Sequence, residues 1–263
     1  MNNQLLVTLI QPNIIWENKE QNIAAYTQKI KSIASNTHII VLPEMFSTGF
    51  SMQPKLLAEK MDGFTVNWMK QIAQEKKCIV TGSVIIEENE KYYNRLIWML
   101  PNGNYGFYDK RHCFSLAGEQ EHYTPGNKRL IASVNGWKIN VQICYDLRFP
   151  VWARQQKQEQ PEYDVLLYVA NWPERRNHAW KTLLTARAIE NQCFVIGVNR
   201  VGNDGNNIYH SGDSIVVDAL GEVLYTKAHE EDITTVALQK AALIEVREKF
   251  KFLNDADAFK IIL

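Results

Sequence analysis

The chain has 263 residues, enough to bury a substantial core in one large domain or two small ones. Its 29 lysines and arginines balance 29 aspartates and glutamates, with no basic block or stripe, which excludes a global electrostatic pull toward nucleic acid or an anionic membrane. No apolar run approaches the roughly 18–20 residues that a membrane-spanning helix needs.

Short strand-like runs alternate with a few helical patterns. Leu5 to Gln11 reads as a buried strand. Asn18 to Ser35 reads as a helix, because Ile23, Tyr26, Ile30 and Ile33 recur at three- and four-residue steps. Ile39 to Leu42 is a second strand, ended by Pro43. Thr65 to Lys76 is a helix. Cys78 to Ile86 and Tyr92 to Leu100 are strands, and the turn residues 101–104 lead into Tyr105 to Tyr108 as a hairpin.

The second half repeats this style. Leu130 to Val134 and Trp137 to Ile143 flank Asn135-Gly136, a strong hairpin signal. A helix is expected after Pro150, a strand over Asp164 to Ala170, and a helix over His178 to Gln192. Cys193 to Asn199, Ile215 to Val217 and Glu222 to Thr226 read as strands. A last strand and helix run from Ile233 to about Lys249. No linker rich in proline, glycine or serine separates the halves, so the reading is a single α/β domain over residues 1–263. It has two similar lobes, each a mixed sheet with helices on one face. The apolar stretch FKFLNDADAFKIIL is expected to pack on the body or on a partner.

The N-terminal stretch lacks a basic segment followed by a long apolar one, so no signal peptide is expected. Cys78, Cys113, Cys144 and Cys193 form no C-x-x-C pair and no disulfide spacing. A reduced, cytoplasmic protein is expected.

Three polar residues stand just past apolar runs. Glu44 follows IIVLP, Lys110 follows YGFYD, and Cys144 follows KINVQI. Strand ends and the loops after them commonly hold sites in α/β folds. A carboxylate can take a thiol proton, a lysine favours a thiolate, and the same lysine can stabilise an oxyanion. Spacing alone leaves the bland alternatives open: a small buried cysteine, a solvated loop glutamate, and a lysine in the charge cluster Asp109-Lys110-Arg111.

The stretches LPEMFSTGF, YDKRHCF and QICYDLRFP occur in one order, each after an apolar strand. Together they resemble the nitrilase superfamily of carbon–nitrogen hydrolases, and the resemblance runs over nearly the whole chain. PEMFSTGF, NWP and IENQCFVIGVNRVG are similar to its omega-amidase branch. The resemblance implies a four-layer α-β-β-α sandwich and hydrolysis of the terminal amide of an omega-amido-2-oxo acid. It makes Glu44 the general base, Lys110 the family's lysine and Cys144 the nucleophile. Glu119, six residues before Pro125 of a Pro-Gly pair, matches a second glutamate, with Glu121 a nearby rival. The turn at Cys144 is expected to act as a nucleophile elbow, aiming the Tyr145 N–H at the reacting oxygen. Asp146 and Arg148 are expected to fix that turn.

The distal carboxylate of such a substrate needs a cation, and Arg175 and Arg176 after Asn171-Trp172-Pro173 are the first candidates, with Arg148 and Arg200 as rivals. Phe46, Trp172 and Tyr145 are expected to wall an apolar slot. No cofactor is expected: neither a Rossmann fingerprint nor a P-loop is present. No metal is expected either, since His112, Cys113 and His122 make a poor zinc set. The partners expected are a small-molecule amide substrate and, by resemblance, a second copy in a homodimer built around the helix 178–192. Competing readings are a hydrolase of other small amides, N-carbamoyl compounds or nitriles, a non-catalytic binding protein, and a redox protein using Cys144.

Overall fold

Alternation of apolar residues along the strands sorts the chain into layers. The structure, a computed structural model, describes residues 4–33, 36–156 and 159–262. The strands are β1 (Gln4–Gln11), β2 (Ile39–Val41), β3 (Ile79–Glu88), β4 (Lys91–Met99), β5 (Tyr105–Asp109), β6 (Leu130–Val134), β7 (Trp137–Ile143), β8 (Val165–Val169), β9 (Phe194–Val198), β10 (Val201–Asn203), β11 (Tyr209–Val217), β12 (Val223–Ala228) and β13 (Asp232–Gln239). One sheet has the order β13-β1-β2-β3-β4-β5, and the other β10-β11-β9-β8-β7-β6 with β12 paired to β11. In the first, β1, β2 and β3 are parallel and their neighbours antiparallel. In the second, β7, β8 and β9 play the same part.

Both faces of these parallel strands are covered, which is why they read as continuous apolar runs. Leu5, Val7 and Leu9 of β1 meet Ile139, Val141 and Ile143 of β7 in a core between the sheets. Residues of opposite parity, such as Ile10, Ile40 and Val80, face the helices Lys19–Lys31 and Phe64–Lys76 through Tyr26, Ile30 and Met69. Leu166, Tyr168 and Val195 face the helix Asn177–Asn191 through Trp180, Leu184 and Ala188. The result is helix, sheet, sheet, helix, the four-layer arrangement expected, with two lobes of similar build.

Element edges follow local chemistry. Asn18 caps the first helix by accepting the Gln21 N–H at 3.0 Å, so the helix starts at Lys19. It ends at Lys31, short of the expected Ser35, which lies outside the described residues. The helix expected after Pro150 is one turn, Pro150–Ala153, preceded by a 3₁₀ turn over Cys144–Arg148. Strand β10 was not expected, and β11 is longer than the expected 215–217. Gly212 (φ +77°) and Asp213 (φ +56°) bulge β11 and break its alternation. In the tail, Ile261 packs against the inter-sheet core, whereas Phe252 and Ile262 are exposed.

Candidate active site

Strands β2, β5, β7 and β8 all run toward one edge of the sandwich, and the residues leaving them converge there. Glu44 follows β2, Lys110 follows β5, Cys144 follows β7 and Asn171 follows β8. Ligands commonly bind outside the carboxyl ends of such strands.

Glu44 is fully buried and all its neighbours donate to it. Its Oε1 accepts from Lys110 Nζ at 2.9 Å and Asn94 Nδ2 at 2.8 Å, and its Oε2 accepts the Asn171 N–H at 2.8 Å. The Asn171 side chain donates in turn to the Glu44 carbonyl. Lys110 also donates to Glu119 Oε1 at 3.0 Å and Oε2 at 2.8 Å, and lies 5.0 Å from the centre of the Phe50 ring. Glu119 starts a single helical turn after Gly118 (φ +71°), and its Oε2 accepts the Phe114 N–H at 2.5 Å. Of the two glutamates, Glu119 is buried against Lys110 and Glu121 is exposed. The lysine's own position is fixed by Gly126, whose N–H donates to the Lys110 carbonyl at 2.9 Å. A Cβ on Gly126 would come within 2.2 Å of the Asp109 carbonyl oxygen, so no larger residue fits.

Cys144 takes a left-handed backbone (φ +44°), an unfavourable conformation for a residue with a Cβ. Asp146 holds it there. Asp146 Oδ2 accepts the Ile143 N–H at 3.0 Å and the Tyr108 hydroxyl at 2.7 Å. Its Oδ1 accepts the His112 N–H at 2.9 Å and lies 2.8 Å from His112 Nδ1. The expected role of Asp146 in the turn is therefore visible as hydrogen bonds. Arg148 is not part of that clamp: it is exposed, with its guanidinium 5.0 Å from the centre of the Trp172 ring.

The charges shift one another. Burial raises the Cys144 thiol well above its usual pKa and Glu44 adds to this, while Lys110 pulls it down, so the resting side chain is the thiol. Burial works against the Lys110 charge, but the Glu119 and Glu44 carboxylates outweigh it and raise the lysine. Burial, and then the Glu44 charge, raise Glu119 against the pull of Lys110.

These groups form the floor of a cavity of about 460 Å³. Phe50, Phe114, Tyr145 and Trp172 make aromatic walls, and Arg148, Arg175 and Arg176 belong to the lining as well. Trp16, Glu17 and Asp204 also line it. Phe46 does not reach the cavity. It is buried on the helix face of the first sheet, 5.5 Å from the Tyr26 ring and 5.9 Å from the Trp68 ring, against the bare backbone of Gly82. Phe50 takes the place expected for it. Arg200 is also buried away from the lining and donates to the carbonyls of Val201, Ile14 and Asn203. His112 is occupied by Asp146 and stacks on Phe149 at 3.8 Å. Among the described residues no group of three histidines, cysteines or acids can hold a metal. Asn94 and Asn171 escaped the sequence reading. Their signal was a lone amide in each of two apolar strand runs, YYNRLIWM and LLYVANW.

The family model for carbon–nitrogen hydrolases matches residues 6–248. The chain belongs to this family. Over 258 residues this carbon–nitrogen hydrolase is 43% identical to the omega-amidase YafV of Escherichia coli strain K12, covering 98% of each chain. It is 32% identical over 252 residues to the 2-oxoglutaramate amidase of Bacillus subtilis strain 168, covering 95% of this chain and 96% of that one. Among solved structures, a CN-hydrolase superfamily protein of Xanthomonas campestris with an arsenic adduct in its active site superposes with a TM-score of 0.96. It shares 41% identity and covers 98% of this chain and 99% of its own. Among the described residues of the hydrolase, no helix is long and apolar enough to cross a membrane.

Proposed function

We propose that the protein is an omega-amidase, which hydrolyses the terminal amide of 2-oxoglutaramate or 2-oxosuccinamate to the 2-oxo dicarboxylate and ammonia. The observation that carries this is Lys110 Nζ bridging two buried carboxylates at the floor of a cavity that Cys144 also lines. The 43% identity to an omega-amidase supports the substrate class.

In this reading the Cys144 sulfur attacks the amide carbon as Glu44 takes the thiol proton. The raised thiol pKa requires the two events to be coupled, since a free thiolate is not the resting form. Lys110 and the Tyr145 N–H stabilise the oxyanion of the tetrahedral intermediate. That intermediate collapses, and the nitrogen leaves as ammonia with the proton from Glu44. A thioester remains. Water attacks it, Glu44 accepts the water proton, and collapse returns that proton to the Cys144 sulfur as the acid departs. Glu119 holds Lys110 on the reacting side of the cavity. Arg176, half-buried in the cavity lining beside the Phe114 ring, takes the substrate carboxylate, and Tyr145 and Trp172 flank the methylenes. The enzyme works as one domain over residues 1–263, in the cytoplasm, as a homodimer formed around the helix Asn177–Asn191, and without a cofactor.

The test is ammonia release from 2-oxoglutaramate, 2-oxosuccinamate, glutamine, asparagine, an N-carbamoyl amino acid and a simple nitrile, for the wild type and Cys144→Ala. Turnover of the 2-oxo amides, reduced at least about 10⁴-fold in the variant, is expected. Turnover confined to the carbamoyl compound or the nitrile discards the substrate. Full turnover by Cys144→Ala discards the nucleophile.

A further inference from the structure

The chain has ten arginines, at 95, 111, 129, 148, 154, 175, 176, 187, 200 and 247. Seven of them donate to a carboxylate or carbonyl oxygen within the protein. Among the described residues only Arg148, Arg175 and Arg176 have no such acceptor, and all three line the cavity. Among the described residues none of the three is paired with a carboxylate. Glu174, adjacent in sequence, turns toward His229 at 3.8 Å. Glu17, also in the lining, accepts from the Ser51 hydroxyl at 2.5 Å, and Asp204 accepts the N–H groups of Asn206 and Ile208.

The three cations are placed at different depths. Arg176 is half-buried, with its guanidinium 5.2 Å from the centre of the Phe114 ring. Arg148 and Arg175 are exposed nearer the mouth, with Arg148 over Trp172. Aromatic faces orient planar guanidinium groups for paired contacts to an oxyanion. Burial, and then repulsion from Arg175 with a further contribution from Arg148, push Arg176 below its usual pKa, as expected for cations held close together. One substrate carboxylate offsets one cation of three. The cavity of about 460 Å³ is also in the size range that encloses drug-sized ligands, well beyond a short 2-oxo amide.

We propose that Arg148 and Arg175 form a second anion subsite outside Arg176, and that the enzyme also hydrolyses terminal amides bearing two carboxylates. The substrate class is a glutamine or asparagine whose amino group is acylated by a dicarboxylic acid. Its inner carboxylate sits on Arg176 and its outer one on Arg148 and Arg175. The reaction is the same hydrolysis: water adds to the terminal acyl carbon, ammonia leaves, and the N-acyl bond stays intact. The proposal rests on the amidase reading above.

A matched pair tests it. N-succinyl-L-glutamine carries the outer carboxylate and N-butyryl-L-glutamine ends in a methyl at the same place. The wild type is expected to show at least about tenfold higher kcat/KM for the succinyl compound, the range of a charge-assisted hydrogen bond. In an Arg148→Gln, Arg175→Gln double variant that ratio is expected to fall to near one. Equal rates on the pair in the wild type, absence of turnover included, overturn the subsite, as does a preference that survives the double variant. Turnover of 2-oxoglutaramate in the same assays separates the two ideas. If it is hydrolysed and the pair shows no preference, only the outer subsite fails. If neither it nor the pair releases ammonia, the amidase reading fails as well.

Discussion

The two sheets furnish the cavity floor by different means. From the first come Glu44 and Lys110, with Glu119 behind the lysine, all buried, and held by each other and by the donors Asn94, Asn171 and Phe114. From the second comes Cys144, partly exposed and held by a left-handed turn clamped from below by Asp146. The first arrangement fixes charge, at the cost of desolvating three ionisable groups together. The second fixes direction, at the cost of one strained backbone position. The two halves are tied at their seam, since Asn171 after β8 donates to Glu44 and Tyr108 of β5 donates to Asp146.

The charged half is tested most sharply by Glu44→Gln, which keeps the shape and removes the base. A fall in kcat of about 10³-fold is expected, with an unchanged circular dichroism spectrum. Retained turnover breaks the comparison, because proton transfer then lies outside the first sheet. The thiol half is tested through Asp146→Ala. That change strands the Ile143 N–H, the Tyr108 hydroxyl and the His112 N–H in a buried place. A loss of about 3 kcal/mol or more is expected in urea unfolding, with a fall in kcat as the Cys144 turn relaxes. Asp146→Asn, which keeps most of the geometry, is expected to lose less on both counts.

A smaller effect is expected where the cavity meets the substrate rather than the reacting bond. Arg176→Ala is expected to raise KM for 2-oxoglutaramate by about 10- to 100-fold with little change in kcat, the pattern of lost uniform binding. A matching drop in kcat moves Arg176 into the chemistry. The smallest effect concerns pH. Burial and the Arg200 charge lower His210 to about 4, so it is neutral in the folded chain. Its unfolded value is about 6.5, so the unfolded state binds the extra proton between these values and stability falls as pH falls. A loss of about 1.5 kcal/mol between pH 6.5 and pH 5 follows from those two values. Chemical denaturation at both pH values checks it, and His210→Gln is expected to flatten the difference.

The parts of this arrangement that the sequence displayed are those written in strand periodicity. Leu5 to Gln11 or Trp137 to Ile143 cannot bury two faces as anything but strands, and a charged residue just past such a run is conspicuous. What stayed hidden depends on side-chain direction in loops. Glu44 and Phe46 are two residues apart, yet one points into the cavity and the other into the helix-facing core, because Met45 between them adopts φ +42°. A simple alternation breaks there. The bulge at Asp213 concealed the first half of β11 for a similar reason, and β10 is too short and too mixed to announce itself. Asn94 in β4 and Asn171 just after β8 are buried amides set against apolar strand runs, and both donate to Glu44. The Glu44 carboxylate is oriented by both of them.

Strand β1 pairs with β2 over three register positions but with β13 over eight, from Gln4 opposite Gln239 to Gln11 opposite Asp232. Ribosomes build chains from the N-terminus at roughly 5–20 residues per second. A nascent chain that has passed Glu119 already carries Glu44 and Lys110, yet β1 keeps an unpaired apolar edge until more than a hundred further residues have emerged. Such an edge is a template for wrong pairing. The last strand to be translated thus completes the first, and chains stalled before residue 232 are expected to be the aggregating species during synthesis.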